Sequence, residues 1–101
     1  MLAYRLAKGD LIVSIDGDLD QMNAQEMREE MDGLIDEYRP NRLILDVQNL
    51  DFMDSSGIGM VIGRYKRMKR TGGTVAVRGA RGPVEKLFAL SGLYGILDRL
   101  A

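Results

Sequence analysis

The hydrophobic positions change period several times along the chain. Tyr4 to Leu6 and Leu11 to Ile15 are short β-prone runs. Lys8-Gly9-Asp10 between them carries turn chemistry, so the pattern predicts a hairpin. Asp16-Gly17-Asp18 ends the second strand. Met27, Met31, Leu34, Ile35 and Tyr38 then recur at i, i+4, i+7, i+8 and i+11. That spacing places them on one face of an amphipathic helix. Asn23 reads as its N-cap, with Glu26 completing a capping-box-like pair. Pro40 stops it. A methionine-rich stripe suits a core face or an adaptable binding groove, and core packing is the simpler reading.

Leu43 to Val47 is a nearly continuous apolar run containing Asp46, the pattern of a buried central strand. The chain leaves it through a short loop and opens a second helix, with Ile58, Val61, Ile62, Tyr65 and Met68 on one face. Thr71-Gly72-Gly73 ends that helix, glycine being the natural C-cap. Thr74 to Val77 is another strand. Pro83 suits the first turn of a third helix, with Val84, Leu87, Phe88 and Leu90 as its apolar face. Ser91-Gly92 ends it, and Ile96-Leu97 reads as a last short strand. The order is β-β-α-β-α-β-α-(β). It defines an α/β fold: a mixed, mostly parallel sheet with right-handed crossovers and helices packed against it. No linker, repeat or low-complexity tract interrupts it. With 101 residues, the chain reads as a single domain over 1–101.

Composition narrows the chemistry. The sequence contains no Cys and no His. That excludes a disulfide framework, a thiolate nucleophile, a Cys-type zinc site, a Ser-His-Asp triad, a phosphohistidine relay and a His-ligated metal. A carboxylate-only Mg²⁺ or Ca²⁺ site is still allowed, but no motif calls for a metal. No apolar run approaches the ~20 residues that span a bilayer. Met1-Leu2-Ala3-Tyr4-Arg5 lacks the apolar core of a signal peptide. A cytoplasmic protein without membrane contact is therefore expected. The formal charge of −1 argues against direct nucleic-acid binding.

The charge is neutral in total and polar in distribution. Residues 1–54 hold 13 acids and 5 bases, a balance of −8, whereas residues 55–101 hold 2 acids and 9 bases, a balance of +7. The basic half includes Arg64, Lys66, Arg67, Lys69, Arg70, Arg78 and Arg81. This is either a solvated helix face and loop or a docking surface for an acidic partner. Folding of one half onto the other would cancel much of the field.

The segment richest in chemistry is Asp54-Ser55-Ser56-Gly57-Ile58-Gly59-Met60-Val61-Ile62-Gly63. Asp54, Ser55 and Ser56 are all N-cap types. A hydroxyl there lies near the positive end of a helix dipole and beside free N–H groups, a favourable place for a phosphate. The Lys-Ser/Thr ending of a nucleotide P-loop is absent. So are the Gly-x-Ser-x-Gly elbow and the base of a serine hydrolase. Two readings remain: a serine is itself the phosphate acceptor, or these residues merely cap the helix. Gly57, Gly59 and Gly63 bear on the choice. Each glycine costs a helix about 1 kcal/mol relative to Ala, so three of them imply close approach by the chain's own sheet or by a partner.

The run from Phe52 to Lys66, Phe-Met-Asp-Ser-Ser-Gly-Ile-Gly-Met-Val-Ile-Gly-Arg-Tyr-Lys, resembles the signature of the anti-sigma factor antagonists, the small STAS-domain proteins. The sporulation branch of that family is the most similar. Gly17-Asp18-Leu19-Asp20 is similar to the family's Gly-(Glu/Asp)-Leu-Asp before the first helix. Leu87-Phe88-Ala89-Leu90-Ser91-Gly92-Leu93 is similar to its Leu-Phe-x-x-Ser-Gly-Leu. The resemblance covers nearly the whole chain, and the element order is that of the STAS fold. The sequence stops at Ala101, where relatives usually continue into a fourth helix.

The resemblance implies a partner-switching regulator of transcription and not an enzyme. Unphosphorylated, such a protein binds an anti-sigma factor that is also an ATP-dependent serine kinase, and this frees the sigma factor. The kinase phosphorylates the first serine of the Asp-Ser-Ser-Gly string, Ser55 here, with Ser56 the weaker candidate. A phosphatase of the PP2C type reverses the step. ATP and metal belong to those partners, so no cofactor is expected, and the free chain is expected to be a monomer. Asp20 and Asp54 are candidates for positioning the hydroxyl or meeting the kinase. Ser56, Gly57, Ile58, Gly59, Met60 and Val61 are candidate partner contacts, and Arg64 and Lys66 candidate contacts to an acidic rim. Each has a plainer reading as a cap, a core residue or a solvated charge. Two alternatives stand beside this one. The chain is a STAS phospho-switch of a general stress or sensory pathway, or a small nucleotide-binding protein that uses the glycine-rich helix start.

Overall fold

The computed structural model describes residues 2–101. The predicted hairpin is present as β1 (Leu2–Ala7) and β2 (Asp10–Ile15), paired antiparallel with Ala7 opposite Asp10. Lys8 and Gly9 turn the chain with φ of 51° and 86°, the positive values a two-residue hairpin loop requires. β4 (Arg42–Asp46), β6 (Thr74–Arg78) and the short β7 (Asp98–Arg99) complete a five-stranded sheet of order β1-β2-β4-β6-β7. Every pairing after the hairpin is parallel, as strand–helix–strand connections demand.

Strand alternation gives the sheet two different faces. Leu11, Val13, Leu43, Leu45, Val75 and Val77 belong to the main core with residues of the helices. Ile12, Ile44 and Ala76 lie side by side on the other face and form a small separate cluster. The ion pairs Arg42–Asp10 at 2.9 Å and Arg78–Asp46 at 3.2 Å flank that cluster.

The helices are α1 (Ala24–Tyr38), α2 (Ser55–Arg70) and α3 (Gly82–Leu90). Met27, Met31 and Ile35 of the α1 stripe are buried in the core. Arg39 ends α1 in the left-handed region, with φ of 45°, one residue before Pro40. The expected capping box is not formed, because the Asn23 side chain serves the preceding loop. Its Oδ1 accepts from the Asp20 N–H at 3.0 Å, and its Nδ2 donates to the Asp18 carbonyl at 2.8 Å. In α3, Val84 and Phe88 are buried, whereas Leu90, expected on the same face, is 76% exposed. Leu93–Gly95 forms a 3₁₀ turn, so the last strand falls at Asp98–Arg99 rather than Ile96-Leu97. Leu97 is instead a buried core residue.

One feature departs from the pattern reading. The segments expected as a strand end and a loop are strands, β3 (Gly17–Leu19) and β5 (Leu50–Met53), paired parallel in a separate two-stranded sheet. They are too short for a visible alternation. α3 packs against β5, and Leu19, Leu50 and Met53 join the main core.

Candidate functional site

This small sheet sets the geometry of the site. Leu19 pairs with Met53 at the ends of β3 and β5, so the next residues, Asp20 and Asp54, leave the sheet side by side. The Asp54 N–H donates to the Leu19 carbonyl at 3.3 Å. Each aspartate then starts a different helical segment, and the two are tied together.

Asp54 is the N-cap of α2. Its Oδ1 accepts from the Ser56 N–H at 2.8 Å and the Gly57 N–H at 3.4 Å. Its Oδ2 accepts from the Gln21 N–H at 3.3 Å, which fastens the loop before α1 to the start of α2. Asp20 uses Oδ1 to accept from the Met22 N–H at 2.9 Å, a local Asx turn. Neither carboxylate hydrogen-bonds a serine hydroxyl among the described residues; both serve backbone N–H groups. Two of the free N–H groups at the start of α2 are therefore taken by the chain's own carboxylate. The helix start offers a bound phosphate the dipole and little of the amide cradle expected from the sequence.

Ser55 is the first residue of α2 and is exposed. Its hydroxyl has no hydrogen-bond partner among the described residues. Ser56 is half-buried. Gly57 is buried, and a Cβ there would meet Met53 Cγ at 2.4 Å and Leu19 Cγ at 3.1 Å. Its close approach is thus to the chain's own small sheet. Gly59 is exposed, and a Cβ on it would meet nothing within 4 Å. Ile58 is half-buried and packs against the core.

Met60, Val61 and Arg64 lie inside. Met60 is 5% exposed and Arg64 7%. The single apolar face of α2 inferred from spacing is too narrow, because α2 packs on α1 as well as on the sheet. Arg64 meets Asp32 of α1 at 2.9 Å instead of reaching an acidic rim. Burial pulls its pKa below the ordinary arginine value, against the pull of Asp32. Its Nη1 has no hydrogen-bond partner.

The basic half of the chain is matched in part by its own acidic half. Arg67 pairs with Asp32 at 3.5 Å and with Asp36, Arg78 with Asp46, and Arg81 with Asp51 at 3.0 Å. Lys66 is exposed. Lys69 lies over the Tyr65 ring at 5.5 Å. Sequence reasoning missed three residues around the site. Met22 beside Asp20 is 92% exposed and Phe52 on β5 is 48% exposed. Arg28 of α1 joins Ser56 and Gly59 in lining a shallow groove. No spacing rule links Arg28 to a helix 30 residues downstream; only the α1–α2 packing does. Among the described residues, no helix is long and apolar enough to cross a membrane.

This sheet, with a serine at the start of α2 beside two aspartates, matches a known domain class. The STAS-domain family model covers residues 2–100, and the chain belongs to that family. It is 40% identical over 90 residues to the anti-sigma F factor antagonist of Paenibacillus polymyxa, covering 89% of this chain and 77% of that protein. It is 30% identical over 91 residues to the anti-sigma-B factor antagonist of Bacillus subtilis (strain 168), covering 90% and 82%. Its fold is that of the anti-sigma factor antagonist SpoIIAA in its unphosphorylated form, with a TM-score of 0.86, 24% identity, and coverage of 100% of this chain and 89% of that one. The phosphorylated form of SpoIIAA shares the fold, with a TM-score of 0.76, 22% identity, and coverage of 100% and 92%.

Proposed function

We propose that this chain is an anti-sigma factor antagonist that works by partner switching. The unphosphorylated form binds an anti-sigma factor with serine kinase activity and so frees a sigma factor. In the complex the kinase transfers the γ-phosphoryl group of ATP to Ser55. A bond forms between Oγ and phosphorus, the bond to ADP breaks, and the hydroxyl proton is lost. A PP2C-type phosphatase restores the free hydroxyl. The chain acts in the cytoplasm, as a monomer when unbound.

The observation that carries this reading is the exposed, unpartnered Ser55 hydroxyl at the first position of α2, beside two carboxylates already committed to backbone N–H groups. Such a hydroxyl holds no hydrogen bond among the described residues and is open to a kinase. A phosphate adds about −1.5 to −2 charges at pH 7. With Asp20 and Asp54 adjacent, the added charge falls on an acidic patch and burdens any partner docked there. The capped N–H groups also weigh against the nucleotide-binding alternative. The likeness to an anti-sigma-B factor antagonist supports a second reading, in which the same switch serves a general stress pathway.

The test is phosphorylation by the cognate anti-sigma kinase and ATP, with the site mapped by mass spectrometry in wild type, Ser55→Ala and Ser56→Ala. Phosphate on Ser55, lost only in Ser55→Ala, is expected. An active kinase that modifies neither serine would remove the mechanism.

A further inference from the structure

The glycines of α2 divide by what surrounds them. Gly57 is demanded by Met53 and Leu19, whereas nothing lies within 4 Å of a Cβ placed on Gly59 or on Gly63. A glycine weakens a helix relative to alanine, the packing requires neither, and of the two it is Gly59 that lines a groove. This groove of about 300 Å³ lies between the first turns of α1 and α2, where Gln21, Gln25, Arg28, Ser56 and Met60 also line it.

Arg28 supplies the charge of this groove. It is exposed and has no hydrogen-bond or ion-pair partner among the described residues. Further along the same helix seam, Arg64 and Arg67 are engaged by Asp32, and Arg67 also by Asp36. Arg28 is near enough to Arg64 for the two to repel. At the end of the seam beside the serines, Arg28 is thus a cation without an ion-pair partner among the described residues, close to the Asp20–Asp54 pair.

We propose that this groove receives a carboxylate side chain of the protein partner, with Arg28 as its ion-pair partner and Gly59 as the gap that lets the partner's backbone come close. The proposal rests on the phospho-switch reading and adds the chemistry of the partner, which presents an acidic residue on an exposed segment. It also gives the switch a local cause. The groove adjoins Ser56 and hence Ser55, so a phosphate on Ser55 repels the carboxylate that Arg28 attracts.

The test is titration calorimetry of the unphosphorylated chain with the purified cognate anti-sigma kinase, at low and high salt. Wild type is compared with Arg28→Gln, Arg28→Lys and Gly59→Leu, each checked by thermal melting. Arg28→Gln is expected to bind at least about tenfold more weakly, the scale of a lost interfacial charge pair. Its affinity is expected to vary less with salt than that of wild type. Arg28→Lys keeps most of the affinity, and Gly59→Leu loses it by steric block. Wild-type affinity in folded Arg28→Gln would overturn the groove assignment and leave the Ser55 switch standing. Loss in Gly59→Leu alone would overturn the carboxylate and identify an uncharged contact. A wild-type chain that binds no anti-sigma kinase would overturn both readings.

Discussion

Ser55 and Gly57 lie two residues apart in one helical turn and answer to different constraints. The Ser55 hydroxyl is exposed and makes no hydrogen bond among the described residues, whereas the missing Cβ of Gly57 makes room for Met53 and Leu19. Gly57→Ala therefore forces the small sheet away from α2, and we expect it to cost about 1–3 kcal/mol. Gly59→Ala meets no neighbour and should stabilise the chain by about 1 kcal/mol. Urea unfolding of the two variants checks both signs, and a Gly59→Ala chain less stable than wild type would contradict the open-groove geometry. Local helix-start chemistry marks Asp54, Ser55 and Ser56 alike as cap types, and the choice of Ser55 as acceptor rests on the family resemblance. The sequence does not reveal which glycine packs inward, since that depends on β3 and β5, which are distant in sequence.

At the scale of elements, the α1–α2 seam decides which candidate residues face inward. Met60 and Arg64 fall on the face of α2 that meets α1, so neither stands on the free surface. Arg64 is nearly buried against Asp32. Asp32→Asn removes its only ionic compensation within 3 Å and should cost about 2–3 kcal/mol. Arg64→Met replaces the pair with apolar volume and should fall within about 1 kcal/mol of wild type. Equal losses in both variants, read from denaturation midpoints, would mean that the ion pair itself stabilises the seam. The C-terminal elements carry a pH signature. Burial and a hydrogen bond to Glu85 push the Tyr94 hydroxyl up to about 12. A folded-state pKa raised above the unfolded value of about 10 gives stability present below that pH. It is lost as pH rises towards about 12. Tyr94→Phe should flatten the alkaline limb of a stability–pH profile over that window, and an unchanged limb would reject the assignment. The hairpin, the three helices and the central strands are legible because turn residues, a sustained helical period or a run of β-branched and apolar residues marks each of them. β3, β5 and β7 are not, because two to four residues carry too little pattern, and their pairing is set by tertiary contacts.

For the whole molecule, the opposite charges of the two halves meet when the chain folds. Arg64, Arg67, Arg78 and Arg81 find their acids in the first half, while Lys66, Lys69 and Arg70 stay exposed without an ion pair among the described residues. The half-buried Asp20 and Asp54, whose carboxylates hold backbone N–H groups, lie close to the groove that Arg28 lines. A phosphate on Ser55 therefore changes the surface and not the core. The fold should persist while the interface fails, and thermal melts of the two forms should agree. The measurement that tests this most directly is the affinity of the cognate anti-sigma kinase for the unmodified and the Ser55-phosphorylated chain, by titration calorimetry under identical conditions. Binding to the unmodified form is expected, with at least about tenfold weaker binding to the phosphorylated one. Equal affinity for two correctly folded forms would contradict it.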